Sequence, residues 1–297
     1  MSIEHFPGFW PLEVDTANVS FRGVIGGAGP ALLLLHGYPQ THLTWRYLAP
    51  ALAQHFTVIA PDLPGYGASR THNHTPRWSK RRVAQALLDM MAQLGHSRFA
   101  VVGHDRGARA GYRLALDHPQ HVSHYASLTV IPTLDMWERV DKAFALAQYH
   151  WFFLAQPYDL PETLLQANPD AFIEAALGKM AGGLDNIDGY ALAAYKKAFR
   201  DPEVRHAMCE DYRAAAAEDT EHDAADRAAG KQLQCPVLVL WPQAQRAART
   251  PLEVWRGWAR EVSGKGIGGG HLQPEESPQA VLAQVLPFLM QPASSTP

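Results

Sequence analysis

Val101-Val102-Gly103-His104-Asp105-Arg106-Gly107 reads as a buried strand running through a sharp turn into a helix. The apolar run Phe99–Val102 has no polar face, as suits a strand covered on both sides. Arg106–Asp117 then has helical character. Gly103 and Gly107 flank the turn because a Cβ at either place would meet neighbouring backbone. Asp105 is thrown to the N-terminus of the helix, where the dipole favours its ionised form. A plain structural alternative is that Asp105 merely caps that helix.

The same alternation continues on both sides. Val19–Ile25, Ala31–Leu35, Phe56–Ala60 and Ala126–Ile131 read as strands, and Arg82–Leu94 as a helix closed by Gly95. After a long gap the pattern resumes with a strand at Val237–Leu240, a helix at Pro251–Arg260, a short strand near Lys265–Ile267 and a helix at Pro278–Leu289. Buried strands alternating with helices predict an α/β fold with a mainly parallel sheet. Between Leu134 and Ala229 the predicted elements are helical: Met136–Phe153, Pro169–Ala181, Gly189–Phe199 and Glu203–Ala217. The expected organisation is a core of residues 1–133 and 230–297, interrupted by a helical cap at 134–229.

Composition agrees with one globular unit of this kind. The chain has 297 residues, 47% hydrophobic and 19% charged, with a formal net charge of −3. That balance excludes a disordered or collagen-like chain. It lacks the basic excess of a nucleic-acid binder. The two cysteines, Cys209 and Cys235, support neither a disulfide framework nor a zinc knuckle. No signal peptide or membrane-length apolar run is visible, so the expected location is the cytoplasm.

The turn around Asp105 is the nucleophile elbow of a hydrolase, with aspartate where serine is common. Two further landmarks follow in the matching order. His36-Gly37-Tyr38-Pro39-Gln40 comes after the first buried strand, and Gly269-Gly270-His271-Leu272 after the last. With Asp62-Leu63-Pro64-Gly65-Tyr66-Gly67, His104-Asp105-Arg106-Gly107-Ala108-Arg109, Tyr149-His150-Trp151 and Cys209-Glu210-Asp211-Tyr212-Arg213, the chain resembles the fluoroacetate (haloacetate) dehalogenases of the α/β-hydrolase superfamily.

The resemblance implies a residue-by-residue assignment. Asp105 would displace halide from a short 2-haloacid and form an ester, and His271 would activate water to hydrolyse it. The backbone N–H groups of Tyr38 and Arg106 would form the oxyanion hole. Arg106 and Arg109, three apart on one helix face, would clamp the substrate carboxylate. His150, Trp151 and Tyr212 would receive the halide. No metal or organic cofactor is implied. The expected partner is a small haloacid, with neither nucleic acid nor membrane involved, and the family suggests a homodimer.

One position departs from the pattern. The aspartate that normally supports the catalytic histidine falls at Thr129, and the alternative site after the later strand reads Leu240-Trp241-Pro242-Gln243-Ala244. A threonine hydroxyl could accept a hydrogen bond but cannot stabilise imidazolium as a carboxylate does. The departure therefore bears on ester hydrolysis more than on fold or substrate. An epoxide hydrolase built on the same aspartate is the first alternative function, and it leaves Arg106 and Arg109 unexplained. A vestigial, non-catalytic homologue is the second.

Overall fold

The protein is described by a computed structural model that covers residues 4–244 and 249–292. Its strands are β1 (Phe9–Asp15), β2 (Val19–Gly26), β3 (Ala31–Leu35), β4 (Thr57–Pro61), β5 (Arg70–Thr71), β6 (Phe99–His104), β7 (Val122–Leu128), β8 (Val237–Pro242) and β9 (Val262–Ile267). They form one sheet in the order β1-β2-β4-β3-β6-β7-β8-β9, with β5 beside β2. β1, β4 and β5 pair antiparallel to β2, and every other pairing is parallel. Every residue of β3 and β6 is buried, as strands at the middle of a helix-covered parallel sheet must be.

Helices Arg106–Asp117, Pro169–Ala181, Gly189–Phe199 and Pro278–Leu289 have the bounds that their periodicity predicts. The expected helix Met136–Phe153 is instead three short ones, Thr133–Trp137, Lys142–Ala147 and Tyr149–Leu154. Asp141 starts the second by accepting a hydrogen bond from the Phe144 N–H, so a local cap interrupts the apolar period. Helices Leu160–Ala167 and Glu218–Ala228 and strand β1 lie outside the elements that the periodicity predicts. β1 is at the sheet edge with an alternating exposed face and Pro11, which weakens its signal. β7 also ends earlier than Ala126–Ile131 suggests, because Thr129 turns the chain at φ 70°. Among the described residues no strand lies between Leu128 and Val237, and no helix is long and apolar enough to cross a membrane.

The elbow sits where β6 meets its helix at the carboxyl edge of the sheet. A Cβ on Gly107 would fall on the carbonyl oxygens of Leu35 and His36, and one on Gly103 on the Ala108 backbone. The helix can therefore pack against β3 only with glycine at these places. Replacing Gly107 with alanine is expected to destabilise the protein by about 2 kcal/mol or more, the scale of overpacking. Thermal unfolding checks this, and an unchanged Tm would contradict the close approach.

Two buried histidines set a pH dependence. Burial pushes His104 and His150 down to about 4, so both are neutral in the fold while the unfolded chain titrates near 6.5. The unfolded state binds protons first as pH falls. Their contribution is thus complete above about pH 6.5 and is lost between there and pH 4, at most about 3 kcal/mol for each. Denaturant titrations at pH 7 and 4.5 should show this loss, reduced in His150→Phe.

Candidate active site

Asp105 stands at the elbow with φ 48° and ψ −115°, a conformation uncommon outside glycine. Its side chain makes no capping bond to the helix that follows, so capping does not account for it. Oδ1 accepts the Tyr38 N–H at 3.0 Å, and Oδ2 lies 3.6 Å from His271 Nε2. Burial alone would raise the Asp105 pKa. His271 opposes that strongly, with His104 and Arg106 adding to it, and the carboxyl is held well below its ordinary range. It is an ionised group with one oxygen in an N–H cradle and the other facing a histidine.

The loop after β9 that carries His271 is pinned through its backbone. His104 Nε2–H donates to the His271 carbonyl at 2.8 Å. Glu276 accepts the N–H groups on both sides, Gly270 at Oε2 and Leu272 at Oε1, the latter at 2.7 Å. Sequence reasoning misses these positioning contacts, although Glu276 is close in sequence and His104 belongs to the elbow itself.

Thr129 does not take up the acid's place. Its N–H donates to the Leu240 carbonyl at 2.8 Å, and its buried hydroxyl has no hydrogen-bond partner. The nearby carboxylates are engaged elsewhere. Asp135 binds Arg227 and the Trp258 indole, Glu138 binds Arg227, and Glu275 binds Arg46, Tyr195 and Gln40. Gln243 is exposed, with its N–H on the Ile267 carbonyl.

The two arginines expected to clamp a carboxylate differ in their partners. Arg106 is fully buried and spends most of its guanidinium on Asp211: Nε donates to Oδ2 at 2.9 Å and Nη2 to Oδ1 at 2.6 Å and to the Asp211 carbonyl at 2.7 Å. Only Nη1 is left without a partner. Arg109, also buried, gives Nη1 to the Ile131 carbonyl at 3.1 Å and Thr133 Oγ1 at 3.0 Å. These acceptors are neutral, and its Nε has no partner. Burial, reinforced by Arg106, lowers the Arg109 pKa.

An aromatic wall faces these groups. The His150 ring stacks on Tyr38 at 5.7 Å, and Tyr212 meets Tyr38, His150 and Trp151 edge-on at 5.2, 5.6 and 5.8 Å. The Arg106 guanidinium lies 4.4 Å from the Tyr212 ring centre, and that of Arg109 lies 4.9 Å from that of Trp151. The fold thus brings Tyr38, Asp105, Arg106, Arg109, His150, Trp151, Tyr212 and His271 around one point. Among the described residues no group of three or more His, Cys, Asp or Glu side chains is arranged to hold a metal ion.

Comparison with known proteins agrees with this architecture. The α/β hydrolase fold family matches residues 30–243. A fluoroacetate dehalogenase from Burkholderia sp. is 41% identical over 291 residues, covering 96% of this chain and 95% of the relative. A soluble epoxide hydrolase from Corynebacterium sp. strain C12 is 30% identical over 269 residues, with 89% and 92% covered. A solved structure from Pseudomonas aeruginosa, provisionally described as an epoxide hydrolase and determined as a threonine-to-aspartate mutant with bound MFA, superposes with a TM-score of 0.94. It shares 54% identity, and 96% of each chain is covered. The chain belongs to the α/β-hydrolase family and is a homologue of the fluoroacetate dehalogenases.

Proposed function

We propose that this protein is a hydrolytic dehalogenase of short 2-haloacids, with fluoroacetate and chloroacetate as the substrate type. The observation that carries the reading is Arg109, a buried guanidinium beside the nucleophile whose acceptors are all neutral. A buried cation with no hydrogen-bonded carboxylate is costly, and a substrate carboxylate would supply that partner. A neutral epoxide would not. The unpartnered Nη1 of Arg106 and Nε of Arg109 would each donate to that carboxylate, which turns the α-carbon towards Asp105.

In the first step Asp105 Oδ2 attacks the α-carbon, the carbon–halogen bond breaks and the halide leaves with its electron pair. His150, Trp151 and Tyr212 form its receiving wall, and donors there are needed because a bare fluoride leaves poorly. In the second step His271 Nε2 takes a proton from water, and the hydroxide adds to the Asp105 carboxyl carbon. Charge then develops on Oδ1, where the Tyr38 N–H already lies. The bond from that carbon to Oδ2 breaks, the proton returns to the departing alkoxide, and glycolate leaves with Oδ2.

Halide release from chloroacetate and fluoroacetate tests the function directly, and its absence with both would refute it. Arg109→Met should raise the half-saturation concentration for haloacetate by about 100-fold, the scale of a lost charge-assisted pair. Because it removes a buried charge with no hydrogen-bonded carboxylate, it should lower stability by no more than about 1 kcal/mol. A large loss of Tm with unchanged haloacetate use would instead mark Arg109 as structural.

Displacement needs no base, whereas ester hydrolysis does, and His271 lacks a carboxylate at position 129. A halide burst near one equivalent is expected, followed by slow turnover with alkylated Asp105 visible by mass spectrometry. Thr129→Asp should speed the slow phase by up to about 10⁴-fold, the cost of a missing triad acid in serine hydrolases, and leave the burst rate nearly unchanged. Backbone strain does not oppose this change, since aspartate tolerates the φ of 70° better than a β-branched residue. Brisk steady turnover of the unaltered enzyme without a burst would rule the bottleneck out.

A further inference from the structure

We propose that Asp211 is the positioning residue for Arg106, and that Tyr66 and Lys80 lock Asp211 in that role; this deepens the haloacid reading above and rests on it. Asp211 lies on helix Pro202–Ala216, one residue before Tyr212, and is buried. Its carboxylate accepts Arg106 Nη2 and the Lys80 ammonium at Oδ1, and Arg106 Nε and the Tyr66 hydroxyl at Oδ2, the last at 2.7 Å. A carboxylate has about four acceptor sites, and all are taken. Asp211 therefore cannot swing away, and neither can the arginine it holds.

The consequence is geometric. Asp211 grips Arg106 through both its carboxylate and its backbone carbonyl, so rotation of the guanidinium is blocked and the free Nη1 keeps one direction. The consequence is also electrostatic. Asp211 is shared between Arg106 and the Lys80 ammonium, and Asp219 supplies a second carboxylate beside Lys80. Asp219, the other acid near Lys80, binds its backbone N–H rather than its ammonium. The four groups come from separate parts of the chain: the loop after β4, the start of helix Lys80–Gln93, the elbow helix and helix Pro202–Ala216. The helix that presents Tyr212 is thereby tied to the arginine at the elbow.

The test measures the halide burst against chloroacetate concentration for the unaltered enzyme, Asp211→Asn, Tyr66→Phe, Arg106→Lys and the double variant Asp211→Asn/Arg106→Lys, with circular dichroism to establish folding. Asp211→Asn should raise the half-saturation concentration tenfold or more while the maximal burst rate changes less than threefold, the pattern of lost substrate binding. Tyr66→Phe, which removes one hydrogen bond and keeps the ring, should raise it about threefold. In the Arg106→Lys background the Asp211 change should add less than twofold, because both act through one contact. A folded Asp211→Asn enzyme with unchanged half-saturation, or costs that multiply in the double variant, would overturn the proposal. If Asp211→Asn does not fold, Tyr66→Phe decides alone, and no shift there overturns it. Absence of any halide release from the unaltered enzyme, whether as a burst or in steady turnover, would sink the dehalogenase reading itself, an outcome distinct from these; if turnover is steady without a burst, the steady rate against chloroacetate carries the same comparisons.

Discussion

Asp105 is held in a backbone conformation that aspartate rarely adopts, and the rest of the site is arranged around that strain. A φ of 48° costs on the order of 1–3 kcal/mol and persists only where surrounding packing over-determines it. Here the elbow helix lies against the end of β3 so closely that position 107 has room only for hydrogen. The loop leaving β3 then delivers the Tyr38 N–H to Oδ1. His104 reaches from within the elbow to the carbonyl of His271. Asp105, the Tyr38 N–H and His271 are thus positioned from a single tight turn.

Around it, buried charge is managed unevenly. Arg113, on the same helix, is paired with Asp223 and Asp226, and Arg106 with Asp211. Arg109, between them in sequence, faces only neutral acceptors. Arg113 is accounted for by its ion pairs, Arg106 keeps one free Nη1 beside its ion pair, and no hydrogen-bonded carboxylate pairs with Arg109. That asymmetry is the feature on which the proposed preference for an anionic substrate over a neutral epoxide rests. The relatives carry both descriptions.

The position after β7 combines two unfavourable features at one residue. Thr129 keeps a left-handed backbone and a buried, unpartnered hydroxyl. Its N–H still reaches the Leu240 carbonyl of β8, but the paired residues of β7 and β8 end at Leu128. Burying a hydroxyl without a partner costs on the order of 1–3 kcal/mol.

Much of this is legible in the sequence alone. The parallel core was readable because Ala31–Leu35 and Phe99–Val102 are apolar on both faces, and the elbow because only glycine fits beside it. The landmarks at Tyr38, Asp105 and His271 fall in chain order at strand ends. The edge strand β1 and the broken helix at 134–154 were not, since edge exposure and a local cap at Asp141 disturb the period on which such reading depends. Residue type marked Arg106 and Arg109 as a pair, yet it could not show that one is bound by Asp211 and the other hydrogen-bonded only to neutral acceptors. Asp211, Tyr66 and Lys80 are far apart in the chain and unremarkable one by one. By itself, then, the sequence determined the succession of core strands and helices, the elbow and the candidate nucleophile, because these follow from local periodicity and steric limits. Which charges are neutralised, which hydroxyl is left unpartnered and which backbone groups pin His271 were decided only by the tertiary structure, because hydrogen bonding and desolvation depend on which distant groups long-range folding brings into contact.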